Sequence, residues 1–139
     1  MTSEAPSRVQ TGIALCLRLA SGPCSIPLHR VHTLAGFARL SGEPDDYFLG
    51  WLTFHGEPVP VFDLNRIVCD QPTAENFGAR IIVVEAEAGT PTQHLGLLAA
   101  SVTDTISPRD PGWGNVEALD LDMYLPMLYS LIPPAPANA

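Results

Sequence analysis

Two prolines placed two apart, directly behind a His-Gly step, leave the segment from Gly50 to Leu64 few ways to fold. It reads Gly-Trp-Leu-Thr-Phe-His-Gly-Glu-Pro-Val-Pro-Val-Phe-Asp-Leu. A helix interior would lose a hydrogen bond at each proline, so the segment must be extended or turning. Tyr47 to Phe54 is predicted as a strand, and His55-Gly56-Glu57-Pro58 as a tight reversal with Gly56 free to take positive φ. Val59 to Phe62 returns as a second strand. Pro58 and Pro60 present their missing N–H groups to one side of it, so that side is expected to be unpaired there or irregular. Asp63 then caps a helical turn carrying Leu64, Ile67 and Val68.

The rest of the chain repeats this theme of short strands and turns. Ile13, Leu15, Leu17 and Leu19 alternate with Ala14, Cys16, Arg18 and Ala20, the period of a half-buried strand. Ser21-Gly22-Pro23 reads as a turn, after which Cys24 to Ile26 pairs back. Pro27 is expected to open a short helix with Leu28, Val31 and Leu34 on one face and Gly36 as its stop. Ser41 to Asp46 is a polar connection and Cys69 to Gly78 a loop. Arg80 to Glu85 is a continuous β-branched run, which predicts a strand buried on both faces. Glu87 to Gln93 makes a hairpin connection to a return strand from His94 to Ala100, continuing through Val102 to Ile106. Ser107 to Asn115 is a loop. Beyond it we expect a strand from Leu119 to Leu125 and a short helix from Pro126 to Ile132; a continuous helix from Asp122 is the competing reading. Residues 1–10 read as a disordered lead and 133–139 as a frayed Pro-rich tail, which leaves 11–132 as one domain. Turn signals every 8 to 12 residues predict an all-β class with short helices, as a barrel or a pair of barrels.

Charge narrows the function. Seven basic residues stand against fifteen acidic ones, a formal charge of -8, and there is no lysine. Nucleic acid and anionic lipid are held by clustered Lys and Arg, so neither is an expected partner. No apolar run approaches the roughly 20 residues that span a bilayer, and Met1 to Gln10 lacks the apolar core of a signal peptide. A cytoplasmic protein without membrane insertion is expected. Cys16, Cys24 and Cys69 form no CxxC pair and read as buried thiols.

Catalytic signatures are weak. Neither G-x-G-x-x-G nor G-x-x-x-x-G-K occurs, which speaks against a nucleotide-dependent enzyme. His29 and His32, three apart on the expected helix, are able to chelate a metal, but no HExxH or nearby carboxylate accompanies them. Surface histidines are the preferred reading, so neither metal nor cofactor is expected. Asp63 with His55 or His94 lacks a serine in a G-x-S-x-G turn, and a helix cap explains Asp63 with one local bond. Phe48, Trp51, Phe54 and Phe62 cluster about the central hairpin. Most are core, and an exposed apolar rim there would be a docking surface.

The central hairpin resembles the CheW-like domain of bacterial chemotaxis coupling proteins. That family's pattern is a glycine, a strand, Leu-Arg-Gly, a short apolar strand with Pro-Val or Pro-Ile, and Asp-Leu. Here the matching residues are Gly50, Phe54-His55-Gly56, Val59-Pro60-Val61 and Asp63-Leu64. Ile26 to Val31 is similar to the family's apolar-Pro-Leu run, Arg80 to Glu85 to the strand opening its second half, and His94 to Leu98 with Gly96 to its return strand, followed by Val102. The resemblance covers about residues 11–106 and implies two intertwined SH3-like β-barrel subdomains around a shared core; the C-terminal strands of this sequence depart from it in reading as abbreviated. It implies no catalysis. It also implies two partners, the regulatory domain of a CheA-type histidine kinase and the cytoplasmic tip of a chemoreceptor, met through Thr33, Gly50, His55, Gly56 and Ala100. Pro60, Asp63, Leu64, Gly96 and Val102 carry the structural motif. Four positions depart from the pattern. His55 replaces the arginine linked to receptor coupling, Thr33 replaces a glutamate, and Ala99-Ala100 replaces Val-Asp. Imidazole for guanidinium removes donors and a permanent charge from that surface. A diverged module that keeps the fold and makes other protein contacts, or self-associates as a homodimer through an unpaired barrel edge, is the alternative; a small metal-dependent enzyme using His29, His32 and a carboxylate is a more distant one.

Overall fold

The computed structural model describes residues 12–36, 39–73, 79–85 and 94–134, with backbone only at Thr103 and Asp104. The expected 87–93 connection, the lead up to residue 10 and the tail beyond residue 134 lie outside the described residues. Nine strands are described: β1 (Ala14–Leu19), β2 (Gly22–Pro27), β3 (Val31–Gly36), β4 (Phe48–Phe54), β5 (Glu57–Asp63), β6 (Arg80–Val84), β7 (Leu95–Ala99), β8 (Ser101–Ile106) and β9 (Glu117–Ala118). Helix α1 spans Leu64–Cys69 and α2 spans Leu121–Ser130. The strands make two sheets, β3-β6-β7-β5-β4 and β8-β1-β2-β9. The chain interleaves them, since β8 and β9 return to pair with β1 and β2 after the larger sheet is complete.

The larger sheet curls into a barrel, and its side chains show why. Leu52 of β4, Val59 and Val61 of β5, Ile81 and Val83 of β6, and Leu98 of β7 form one cluster with Ala79, against which Ala35 of β3 packs. All five strands thus turn one face to a common interior. Gly96 also points there; a Cβ at that position would lie 2.9 Å from Ile81 Cγ2 and 3.0 Å from Val61 Cγ2, so only glycine lets β5 and β6 close this tightly. The two edge strands meet: the His32 ring of β3 abuts Phe54 of β4 edge-on at 5.8 Å. The opposite faces of the same strands carry Phe48, Trp51, Phe62, Ile82, Val84, Leu95 and Leu97 into a second core shared with Leu15, Leu17, Leu19 and Ile26 of the smaller sheet and Leu121, Leu125 and Leu128 of α2. Ile81 to Val84 are therefore 0% exposed on both faces, as the β-branched run predicts.

Proline geometry sets the barrel's pairing. Phe54 and Glu57 flank the two-residue turn, so Pro58 and Pro60, opposite Thr53 and Trp51, aim their nitrogens away from β4. Pairing of β5 with β7 begins only at Val61. The donor-free stretch is left without a ladder, as expected.

Three expectations are corrected. The helix from Pro27 is a single 3-10 turn, Leu28–Arg30, after which Val31 to Gly36 is strand. The β-branched Val31 and Thr33 are better spent pairing with β6, and Leu34 stays exposed. The return strand does not run on to Ile106: the chain bends at Ala100 and changes sheet, with Ser101 and Val102 pairing to Arg18 and Leu17 of β1. At the C-terminal end the competing reading wins. Helix α2 is continuous and contains Pro126, while the strand is only Glu117–Ala118, parallel to Cys24 and Ser25. A proline in the second turn costs about 3 kcal/mol, but Leu121, Leu125 and Leu128 bury at i, i+4 and i+7. Each contributes roughly 1.5–3 kcal/mol, which outweighs the lost bond. The smaller sheet is thus finished by a two-residue strand and a helix, an abbreviated close.

Candidate functional site

The β4–β5 turn is tighter than its sequence suggested. Both His55 (φ 50°) and Gly56 (φ 80°) are left-handed, the signature of a type I′ hairpin turn. Histidine is among the few side-chain-bearing residues that tolerate this conformation. The exposed His55 ring stacks on Phe54 with centroids 4.0 Å apart and planes 14° from parallel. Phe54 in turn meets His32 in a T-shaped contact. The barrel end is therefore a run of contacting rings, continued by His94, whose ring lies 4.4 Å from that of His32.

His32 reaches this end through an irregularity. Val31 pairs with Val84 and Thr33 with Val83, so β3 carries one extra residue there, and that residue is His32. Such a bulge re-aims a side chain. Glu85 and His94 follow from the β6–β7 register: Val84 pairs with Leu95, which puts the next residues opposite each other. His32 Nδ1 lies 3.3 Å and His94 Nε2 3.7 Å from Glu85 Oε2. The metal pairing of His29 with His32 on one helical face does not form, because the 3-10 turn ends at Arg30 and His32 is in a strand.

Of the other residues singled out by sequence, Thr33 is half-buried beside His32. Gly50 is buried (φ 137°), and a Cβ there would come within 2.8 Å of the Ser41 carbonyl and of Leu40 Cβ. It serves the close approach of the 40–41 segment to β4. Ala100 lies at the far end of β7, six residues or about 20 Å from His94. The structure thus brings Thr33, His55 and Gly56 toward one barrel end and separates Ala100 from them. Pro60 sits opposite Trp51, Leu64 is buried, and Val102 packs against the second core. The Asp63 carboxylate is buried at the start of α1. It accepts from the Arg66 N–H at 3.2 Å, from the Thr73 N–H at 2.9 Å and from the Thr73 hydroxyl, so the cap is also a loop anchor.

Sequence reading missed a second region. A cleft of about 160 Å³ lies between β2, β9 and α2, lined by Leu19, Cys24, Val68, Leu119 and Tyr124 among others. Burial, then the neighbouring Cys16, Glu117 and Cys69, pushes the Cys24 thiol up to about 12, so it is no nucleophile at neutral pH. Beside it α2 exposes Met123, which is 64% accessible, with Met127 and Leu131 following at i+4 and i+8. The period Met123, Met127, Leu131 is visible in the sequence once a helix is accepted through Pro126. Among the described residues no helix is long and apolar enough to cross a membrane.

Comparison with known proteins fits this architecture. Among solved structures the chain is similar to the scaffolding protein TtCheW from Thermoanaerobacter tengcongensis, with a TM-score of 0.61 and 18% identity over 84% of this chain and 78% of that one. A search of curated proteins returns no match. The family described as CheW-like domain matches residues 14–113, from the first residue of β1 to the loop before β9. With the Gly50–Leu64 hairpin, the interleaved sheets and this match over most of its length, the chain belongs to the CheW-like domain family.

Proposed function

We propose that this protein is a non-catalytic, cytoplasmic signalling adaptor that couples chemoreceptors to a CheA-type histidine kinase. The family match over residues 14–113 carries the reading. The receptor-facing surface is the barrel end around Thr33, His55 and Gly56, and the surface around Ala100, beyond the other end of β7, meets a second partner. Two well-separated surfaces on one rigid barrel suit a protein that holds two others at a fixed spacing. His55 presents a stacked imidazole where the family's arginine would present a guanidinium fork, so receptor contact relies more on ring surface and less on charge.

Calorimetric titration of the full chain against the regulatory domain of its cognate kinase, and separately against a soluble receptor tip, tests this. Binding to both is expected. Binding to neither sinks the proposal.

A further inference from the structure

His32, Glu85 and His94 come from three strand ends that no local motif links. One ligand atom from each, two imidazole nitrogens and a carboxylate oxygen, lies within 4.8 Å of the others. Zinc bonds of about 2.0–2.2 Å set the edge of a tetrahedral ligand cage near 3.3–3.5 Å. The His32–Glu85 edge, at 3.3 Å, already has that length, and the His94–Glu85 edge, at 3.7 Å, is a few tenths longer.

The scaffold is prepared for this. The Glu85 N–H donates to the Arg30 carbonyl at 3.3 Å, and Arg30 Nη2 donates back to the Glu85 carbonyl at 3.3 Å while pairing with Asp122 at 3.1 Å. The Glu85 backbone is thus pinned to the 3-10 turn that precedes β3 and, through Arg30, to α2. His32 is aimed by the bulge and braced by Phe54, and His94 opens β7 directly across from Glu85. Two imidazoles and one carboxylate are a donor set that suits zinc and its first-row neighbours, with open positions toward solvent.

We propose that His32, Glu85 and His94 form a binding site for one divalent transition-metal ion of the zinc class, which clips β3 to the β6–β7 end of the barrel. The inference rests on this cluster alone and stands or falls independently of the adaptor reading.

The test is titration of the full-length, chelator-treated chain with Zn²⁺ by calorimetry and with Co²⁺ by visible absorption. One ion per chain is expected, with cobalt ligand-field bands and no near-ultraviolet thiolate charge-transfer band, which separates this site from the cysteines. His94→Gln and His32→Gln should each weaken binding about 100-fold, Glu85→Gln should weaken it about tenfold, and His29→Gln should leave it unchanged. In the unmodified protein, nuclear magnetic resonance should show the His32 and His94 ring signals shifting on zinc addition while those of His29 stay in place; this readout requires no variant to fold. Absence of saturable binding, or stoichiometric binding that survives the His32→Gln/His94→Gln double substitution, overturns the proposal.

Discussion

The two ends of β5 are built on opposite plans. At Asp63 the strand ends in a buried carboxylate bound by two backbone N–H groups and a hydroxyl, and Thr73 extends the network to the Leu98 carbonyl of β7. At His55 the same strand begins from a two-residue turn in left-handed conformation, exposed, and braced by ring contacts. Directional bonds among buried groups permit one geometry and penalise every other. Stacked rings at a surface give area and little direction. The Asp63 end therefore holds the frame while the His55 end is free to change residue, and it is there that the chain departs from its family's Leu-Arg-Gly.

Substitutions should widen or erase that contrast. Asp63→Ala removes the α1 cap and strands the buried Thr73 donors, for a predicted loss of about 2–4 kcal/mol; a fall in the urea midpoint with an unchanged slope would show it, and a loss below about 1 kcal/mol would mean the network is dispensable. Gly50→Ala, strained at positive φ and driven onto the Ser41 carbonyl, should cost about 1–3 kcal/mol by the same measurement. Gly56→Ala meets nothing within 4 Å, so only its conformation is penalised, at about 1 kcal/mol. His55→Arg, which puts a less tolerant residue at positive φ, should cost less than about 1 kcal/mol while raising affinity for a receptor tip. If that substitution instead unfolds the chain, the turn belongs to the frame and the contrast between the two ends fails.

What the sequence disclosed follows the range of the interactions involved. The Arg80 to Glu85 run, the proline-bound hairpin and the Asp63 cap are set by neighbours in the chain, and each reads correctly from local pattern. Helix α2 was misread because Pro126 is a strong local signal, and only burial of Leu121, Leu125 and Leu128 against two sheets overrides it. Strand β3 was misread for the same reason: its pairing with β6 lies some fifty residues away. The ring cluster was half legible, since a hairpin joining Arg80–Glu85 to His94–Ala100 already sets Glu85 opposite His94. His32 was not, because its position depends on a one-residue bulge that no composition announces.

Interleaving of the two sheets has a cost during synthesis. The β1–β2 hairpin finds its lateral partners late, β8 on β1, with Ala14 opposite Ile106 and Arg18 opposite Ser101, and β9 on β2, and its covering helix later still, in α2. At about 5–20 residues per second, the eighty or so residues from the end of β2 to the end of β8 take roughly 4–16 s to emerge. For that interval the open edge of β1 is exposed, although the hairpin's apolar face already has Phe48, Trp51, Phe62, Ile82 and Leu97 of the larger sheet to pack on. Folding should therefore run from the middle of the chain outward, and the earliest strands should be the last to become protected from hydrogen exchange.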